Sequence, residues 1–372
     1  MNGVKNSTKC LTLLSWILLA GDESAASASP EAGVDSAEEV SVVASGLCAE
    51  ELAELEGLAN SHHVVMRTLP RLQQMMSSKG NNRSADWAGS AVEKEGARIE
   101  NALSFLEPIC GELEAAGRVV VIKSLDHSPD LGSDLDLYTD AETTDVAAIM
   151  HKRFDAKLVA QSWGDRLANK RNFMVPGLPE PVEVHVGRLG QTGEQVAIAK
   201  SLVARAKSVQ VASRHFRVPA PEERLFVSTL QRMYRHYYIR LCDIIDNARL
   251  VESNEIDFAH LQSLGHSSGL WSGLAAYLTI ISDYVGLYRR RALPLPAEIR
   301  ADARFGGREV YFRKNFIRIP VVPYSARLYV SELARLVLNG EIRNSLRLSL
   351  LPGLATAAVL ELKLAGTDKG IW

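Results

Sequence analysis

Two aspartates one residue apart form the clearest chemical motif of the sequence, within the run Gly132-Ser133-Asp134-Leu135-Asp136. Alternate side chains of an extended strand share a face, so Asp134 and Asp136 are expected to project together, with Leu135 in the core. Neighbouring carboxylates repel each other unless a cation lies between them, and Mg²⁺ prefers such hard oxygen ligands. Gly132 would let a phosphate approach the backbone, and Ser133 offers a hydroxyl donor. The motif therefore indicates a site for a metal ion and a phosphate group.

A third acid lies on a second alternating stretch, Val182-Glu183-Val184-His185. Glu183 and His185 share one face of this predicted strand, and the valines share the other. If the strand lies beside Asp134, Glu183 joins the same cluster, and three acids could hold the two metal ions of an in-line phosphoryl displacement. Two structural readings stay open, since Asp-x-Asp also occurs by chance at exposed strand ends and His185 could be a hydrogen-bonded structural histidine.

Two cationic residues stand where they could meet a phosphate. Lys123 follows the β-branched run 119–122. It either contacts phosphate or forms a salt bridge with the loop that leads to Asp134, which we call the aspartate loop. His236, Arg240 and Asp243 fall at i, i+4 and i+7 of a predicted helix and so share one face. That face is either a wall of the site, with Arg240 near the phosphate, or a ladder of ion pairs.

The elements that position these residues form an α+β pattern. The β-branched run 119–122 predicts a buried strand, followed by strands near 132–138, 158–162, 172–175 and 181–186 and a helix over 143–157. Helical periodicity predicts further helices near 48–69, 85–116, 222–250, 256–264 and 270–287. Strand-like runs recur at 310–312 and 316–319. We therefore expect a mixed sheet with helical regions on its N- and C-terminal sides.

Composition excludes several classes of protein. With 372 residues, 47% hydrophobic and 23% charged, the chain is an ordinary globular sequence long enough for a sizeable core. Its net charge of −2 gives no strong nucleic-acid signal. Four separated cysteines exclude the common zinc motifs and a dense disulfide framework, which favours a reducing compartment. No apolar run reaches the roughly 18 residues of a transmembrane helix.

Three segments depart from this average. The apolar run 10–20 follows Lys5 and Lys9 and precedes the small residues Ala25, Ala26 and Ala28, so it is either a signal peptide or an amphipathic first helix. Residues 21–45 read as an acidic, solvated linker. Residues 289–347 contain thirteen basic and five acidic side chains, a local charge of +8. This basic region either binds a phosphorylated or membrane-surface partner or is a solvated surface.

The motifs together resemble the nucleotidyltransferase superfamily of the DNA polymerase β type. That superfamily has a strand ending in Gly-Ser, a loop of about ten residues, Ser-Asp-x-Asp, and a third acid on a later strand. Lys123-Ser124, the Asp134 motif and Glu183 follow the same order. Over residues 47–287 the chain is more closely similar to an uncharacterised bacterial nucleotidyltransferase-like family of biosynthetic gene neighbourhoods. Shared features are the Val-Glu-x-His strand, the helical tail 240–247 and the following Ile256-Asp257, whereas Ser124 replaces a glycine of that family.

The resemblance implies an α+β fold with a mixed nucleotidyltransferase sheet and an enzyme that transfers a nucleoside monophosphate from an NTP to an unknown acceptor, releasing pyrophosphate. Mg²⁺ or Mn²⁺ would be the cofactor. Its implied ligands and catalytic groups are Asp134, Asp136 and Glu183, and its implied nucleotide-binding residues are Lys123, Ser124, Gly132, Ser133 and Arg240. The alternative is a catalytically degenerate module that binds a nucleotide or a partner in a biosynthetic or exopolysaccharide system.

Location and domain organisation follow as further expectations. Because the chemistry needs cytoplasmic nucleotides, we expect a cytoplasmic protein. The predicted units are an N-terminal helical region with the acidic linker (1–105), the nucleotidyltransferase core (106–218), a helical domain (219–288) and the basic C-terminal region (289–372). The last of these is a possible contact surface for a protein partner.

Overall fold

The computed structural model describes residues 9–20, 37–353 and 356. Its helices are α1 Lys9–Leu19, α2 Ala37–Ser45, α3 Ala49–Ser61, α4 Val65–Ser78, α5 Asn82–Glu114, α6 Thr143–Phe154, α7 Trp163–Ala168, α8 Val196–Ala204, α9 Pro221–Thr229, α10 Leu241–Glu252, α11 Phe258–Ser268, α12 Trp271–Arg289, α13 Ala297–Asp302, α14 Ala326–Leu338 and α15 Ile342–Ser349. Its strands are β1 Val119–Val121, β2 Leu135–Thr139, β3 Lys157–Leu158, β4 Lys170–Met174, β5 Val182–Val186, β6 Lys207–Val211, β7 Arg214–Val218, β8 Tyr238–Ile239, β9 Tyr311–Arg313 and β10 Phe316–Arg318.

The main sheet has five strands in the order β1-β2-β5-β4-β3. β2 and β5 run parallel, and the other neighbouring pairs are antiparallel. Two smaller sheets, β6-β7 and β8-β10-β9, complete the strands. The predicted α+β class with a mixed sheet is therefore confirmed.

The two faces of the sheet have different partners. Leu135 and Leu137 of β2 pack with the valines of β5 and with α5 and α6 in one apolar core, which we call the sheet core. Asp136 and Glu183 belong to the opposite face, because side chains alternate along each strand. The predicted alternation of both strands is thus confirmed, and it directs the acids away from the sheet core.

The opposite face of the sheet meets a second apolar core, the helical core, in which α1 to α4 pack with α9 to α12. α1 is a helix, as one of the two readings of this segment expected, but it is buried on nearly all sides: Leu14, Ile17 and Leu19 are fully buried. Lys5 and the small residues after Ala20 lie outside the described residues. No helix in the described ranges has the length and hydropathy of a membrane span.

The helix predicted over 222–250 is interrupted. α9 ends at Thr229 and is followed by a π-helical segment, Leu230–His236. Tyr237 then takes a left-handed conformation, φ 56°, which ends the helical run before the short strand β8. Because α10 begins only after Arg240, the prediction that His236, Arg240 and Asp243 share one helical face is wrong.

Two further boundaries differ from the sequence analysis. The helix predicted over 48–69 is split between α3 and α4, since His63 adopts a left-handed conformation with φ 52°. Of the predicted acidic linker, residues 37–45 form α2, whose Val40 and Ala44 are buried in the helical core; residues 21–36 lie outside the described part of the chain. All four cysteines are free thiols, as expected for a chain without disulfides.

Acid is expected to destabilise the fold through a buried neutral histidine. His62 accepts a hydrogen bond at Nδ1 from the backbone N–H of Leu241 and contacts the carbonyl of Asn315 through Nε2, both at 3.0 Å. Burial lowers the pKa of His62 to about 3. The unfolded chain, with an ordinary histidine pKa of about 6.5, therefore binds the proton first, and stability falls as the pH drops below that value.

The measurement is urea unfolding of wild type and His62→Gln between pH 7 and about pH 5. One such histidine contributes a loss of at most about 1.4 kcal/mol per pH unit, and the variant should show a flatter dependence. His151→Gln, at an exposed histidine of α6, is the matched control and should keep the wild-type slope. Identical slopes for wild type and His62→Gln would contradict the expectation.

Candidate metal centre

The parallel pairing of β2 and β5 brings two acids together. Asp136 and Glu183 are direct register partners on neighbouring strands. His185 Nε2 lies 2.9 Å from Glu183 Oε1 and 3.9 Å from Asp136 Oδ1. One ligand atom from each of the three residues lies within 4.8 Å of the other two. Two carboxylates and an imidazole thus converge on one point of the sheet face that meets the helical core.

Two lysines neutralise these acids. The Lys123 ammonium contacts Asp136 and lies 3.7 Å from Glu183 Oε1. Lys170 Nζ, on β4, lies 2.6 Å from Glu183 Oε2, and its side chain is almost completely buried. Of the two readings of Lys123, the structure therefore shows the salt bridge with the aspartate strand. A cation binding between the acids would have to displace at least the Lys123 ammonium.

The backbone of Lys123 is strained. It has φ 64° and ψ −53°, and the N–H of Ser124 donates to the carbonyl of Ile122 at 2.7 Å. This is a γ-turn with positive φ, a conformation that is rare for residues with a side chain and that persists only where the surroundings impose it. The turn ends β1 and holds the ammonium over the acidic pair.

Ser124 connects this turn to the aspartate strand. Its hydroxyl accepts a hydrogen bond from the N–H of Asp136 at 2.8 Å and donates to the carbonyl of Asp134 at 3.2 Å. The side chain is almost fully buried. Both hydrogen bonds of the hydroxyl are thus made within the chain, and a phosphate contact of Ser124 stays a prediction that would need the bond to Asp134 to be exchanged.

Ser124→Ala should destabilise the protein by about 1–3 kcal/mol. The substitution leaves the buried N–H of Asp136 without its acceptor, and an unsatisfied buried donor costs about that much. Urea unfolding measures the difference. Ser104→Ala, at an exposed serine of α5, is the control and should change stability by less than about 0.5 kcal/mol. A loss no greater than that of the control would show that the hydroxyl is dispensable.

The other residues of the aspartate motif lie at the rim. Asp134 precedes β2 and is half-buried, so only Asp136 stands within the strand. The hydroxyl of Ser133, an exposed residue, lies 3.3 Å from Asp134 Oδ1. The Gly132 carbonyl accepts a hydrogen bond from Arg98 Nη1 at 3.2 Å. Burial is the main cause of the raised pKa of Asp136, and the charge of Asp134 adds to it.

Arg240 lies with a different group of side chains. Its Nη1 is 2.5 Å from His63 Nε2, and its guanidinium stands over the ring of Tyr238 at 5.6 Å. Two cations that the sequence analysis did not select lie nearer the acids: Lys170, and Arg235, whose charge lowers the pKa of Lys170 after the larger effect of burial. No short motif could have identified Lys170 or Arg235 as site residues. Lys170 depends on the pairing of β4 with β5, and Arg235 on the π-helical segment, and no local pattern in the sequence predicts either.

Burial and charge set the protonation of the centre. Burial raises the pKa of Asp136 well above its ordinary value, opposed by Lys123. Burial acts in the same direction on Glu183, but Lys123, His185 and Lys170 outweigh it and hold the pKa of Glu183 well below normal. Burial also lowers the pKa of His185 to about 4. At neutral pH the imidazole is therefore uncharged, Glu183 is ionised, and Asp136 is the acid whose ionised form most needs a neighbouring cation.

A small cavity adjoins the centre. Its volume is about 40 Å³, and it lies between Lys123, His185, the loop at Leu189–Gln191 and the π-helical segment with Gln231 and Arg235. Polar amides, a guanidinium and apolar side chains all line it. The cavity has room for a few water molecules only, since a water needs at least about 10–15 Å³ in such a measure.

A second buried network lies behind Lys123. His127 Nδ1 is 2.5 Å from Asp246 Oδ2, and Arg67 Nη2 is 2.6 Å from Asp246 Oδ1. Cys242 Sγ lies 3.9 Å from His127 Nε2. This network connects α4, the turn after Lys123 and α10, so it fixes the aspartate loop against the helical core.

Comparison with known proteins adds no family assignment. No protein-family model matches the chain, and neither a curated protein nor a solved structure is similar to it.

Proposed function

We propose that this protein is a metal-dependent nucleotidyltransferase, which transfers a nucleoside monophosphate from an NTP to an acceptor and releases pyrophosphate. The observation that carries the proposal is the parallel register of β2 and β5, which sets Asp136 directly opposite Glu183. Acids on adjacent strands, facing away from the sheet core, can supply the carboxylate ligands that a divalent ion such as Mg²⁺ takes from a protein.

The order of the elements gives further support. A strand ends in a tight turn, a loop leads to Ser-Asp-x-Asp on an antiparallel neighbour, and the third acid follows on a parallel strand. The nucleotidyltransferase superfamily that the chain resembles has Gly-Ser at the end of the first strand. Here Lys123 occupies the position with positive φ, which is the conformation glycine adopts most readily. Of the two residues of this turn, Lys123 is the one whose backbone conformation is unusual for a residue with a side chain.

The side chains present fit Mg²⁺ or Mn²⁺. Asp136 and Glu183 would hold the ion, with His185 close by and Asp134 at the rim. When bound, the ion would polarise phosphate oxygens and neutralise charge developing on them. Lys123 would then be released from Asp136, and its ammonium, together with Arg235, would attract the phosphates of the nucleotide into the cleft. Ser124 would hold Asp136 in place, because its hydroxyl accepts a hydrogen bond from the backbone N–H of Asp136.

A second candidate function is a degenerate module that binds a nucleotide or a partner without turnover. Two observations favour it. Both acids already have lysine partners. The adjoining cavity of about 40 Å³ is also far smaller than the roughly 300–1,000 Å³ of small-molecule sites, so a nucleotide could reach the acids only after the loop 187–195 or the π-helical segment moved.

Calorimetry and label transfer separate the two functions. The purified chain is titrated with each NTP in the presence and absence of Mg²⁺, and α-phosphate-labelled NTPs are then incubated with Mn²⁺ and an extract of small metabolites. Mg²⁺-dependent binding with transfer of label supports the enzyme. Binding without transfer supports the binding module. Absence of both metal binding and nucleotide binding would exclude the enzyme and the nucleotide-binding module and leave the acids as a structural ion-pair cluster.

A further inference from the structure

Exposed aliphatic side chains are concentrated on the C-terminal helical hairpin. α14 and α15 are joined by the turn at Asn339–Glu341 and pack against each other. Leu336 of α14 and Leu348 of α15 are buried. Their outer sides expose aliphatic residues at helical spacing, with 51–78% of the surface accessible: Val330, Val337, Leu338, Ile342, Leu346 and Leu350. We call this the aliphatic face. Single exposed apolar residues are normal on a solvated surface, but a contiguous exposed apolar patch usually marks an interaction site.

Arginines border the aliphatic face. Residues 326–350 contain four arginines and two glutamates, and one of the glutamates, Glu332, is buried. Arg327, Arg335 and Arg343 are exposed. Burial lowers the pKa of Arg347, and the nearby charges of Arg188 and Arg343 lower it further. The border of the face is therefore strongly cationic and is suited to an anionic surface.

The chemistry of the face favours a lipid surface over a protein. Protein interfaces are enriched in tryptophan, tyrosine and phenylalanine at their centres, whereas the exposed side chains here are valine, leucine and isoleucine. A self-complementary contact with a second copy of the chain would bring the arginine-bearing surfaces of the two copies together, which like charges oppose. Arginine beside aliphatic side chains is the combination with which helices lie in the headgroup region of anionic bilayers.

We propose that the aliphatic face docks on an anionic lipid bilayer, with Leu338, Ile342 and Leu346 inserted at the boundary of headgroups and acyl chains. Arg327, Arg335 and Arg343 lie at the level of the lipid phosphates. The hairpin rests in the plane of the surface, and the rest of the protein stays in water. This surface role is independent of the nucleotidyltransferase proposal, because none of its residues belongs to the metal centre.

Vesicle co-sedimentation of the full chain tests the proposal. Vesicles of phosphatidylcholine alone are compared with vesicles that also contain phosphatidylglycerol, at low and high salt. We expect binding to the anionic vesicles, weakened by salt because surface charges are screened. The double variant Leu338→Asp/Leu346→Asp should lose more than about tenfold in affinity, since two leucines that insert into the bilayer are replaced by charges that the anionic lipid repels.

The matched control is Leu158→Asp/Leu287→Asp, which changes two leucines that are 49% and 44% exposed on other surfaces. It should bind like wild type. Circular dichroism and thermal melting establish that both double variants fold. No vesicle binding by the wild type, equal binding to both kinds of vesicle, or equal loss in the control would each overturn the proposal. A dimer in solution that Leu338→Asp/Leu346→Asp dissolves, without vesicle binding, would instead assign the face to a second copy of the chain.

Discussion

Asp136→Asn is expected to reduce label transfer by at least about hundredfold and to remove stabilisation of the protein by Mg²⁺. The substitution removes the charge of the acid that faces Glu183, and loss of one charged group at such a centre costs about 10²–10³ in rate. Lys123 also loses its ion-pair partner. Repulsion between neighbouring carboxylates alone would make the metal-free variant more stable, but with Lys123 already beside Asp136 we expect the thermal midpoint without metal to fall.

Asp140→Asn is the matched control for this variant. Asp140 follows β2 directly, is exposed, and forms a surface ion pair with Arg118. Its substitution should leave transfer and the response to Mg²⁺ unchanged. Melting curves with and without Mg²⁺ and initial rates of transfer give the comparison. If Asp136→Asn keeps the wild-type response to Mg²⁺, the metal is not held at this carboxylate.

Asp246→Leu should cost about 3–5 kcal/mol of unfolding free energy. Asp246 is buried between Arg67 and His127. Burial alone would raise the pKa of Asp246, but His127 and Arg67 hold it below its ordinary value, so the carboxylate is ionised. Removing it leaves the Arg67 guanidinium buried without its main partner, and breaking a buried pair from one side has a cost of about that size.

The double variant Arg67→Met/Asp246→Leu tests the cause. It removes both charges together and should be more stable than Asp246→Leu alone, because the Arg67 guanidinium no longer remains buried without the Asp246 carboxylate. Arg83→Met, at an exposed arginine of α5, should change stability by less than about 0.5 kcal/mol. Urea unfolding gives the free energies of unfolding of the wild type and of the three variants. A loss below about 1 kcal/mol for Asp246→Leu would show that water reaches Arg67 and that the network does not anchor the aspartate loop.

The elements of the centre could be predicted because their signals are local. Alternation along β2 and β5 is a period of two within five residues, so the sequence alone assigns Leu135 and Val184 to the core and Glu183 to the opposite face. The prediction that Glu183 joins the aspartate cluster held only if β5 lay beside β2. The two strands are neighbours, and Asp136 is the register partner of Glu183.

The partners of the acids could not be predicted because they depend on long-range pairing. Lys170 reaches Glu183 only because β4 lies antiparallel beside β5, and no short motif specifies that neighbour. The break after α9 is equally hidden: Tyr237 takes positive φ although neither glycine nor proline marks the turn. Arg240 was consequently assigned to a helical face that does not exist. The split at His63 has the same cause.

The two apolar cores differ in how they are laid out along the chain, and this has a consequence for synthesis on the ribosome. The buried residues of the sheet core all lie between Ala102 and Val218, whereas the helical core joins α1 to α4 with α9 to α12. The sheet core can therefore close as soon as its own stretch has emerged. The N-terminal helices, made first, can pack on one another and on α5, but their contacts with α9 to α12 must wait until residues 221–289 have been synthesised. They are the segment for which a nascent-chain chaperone matters most.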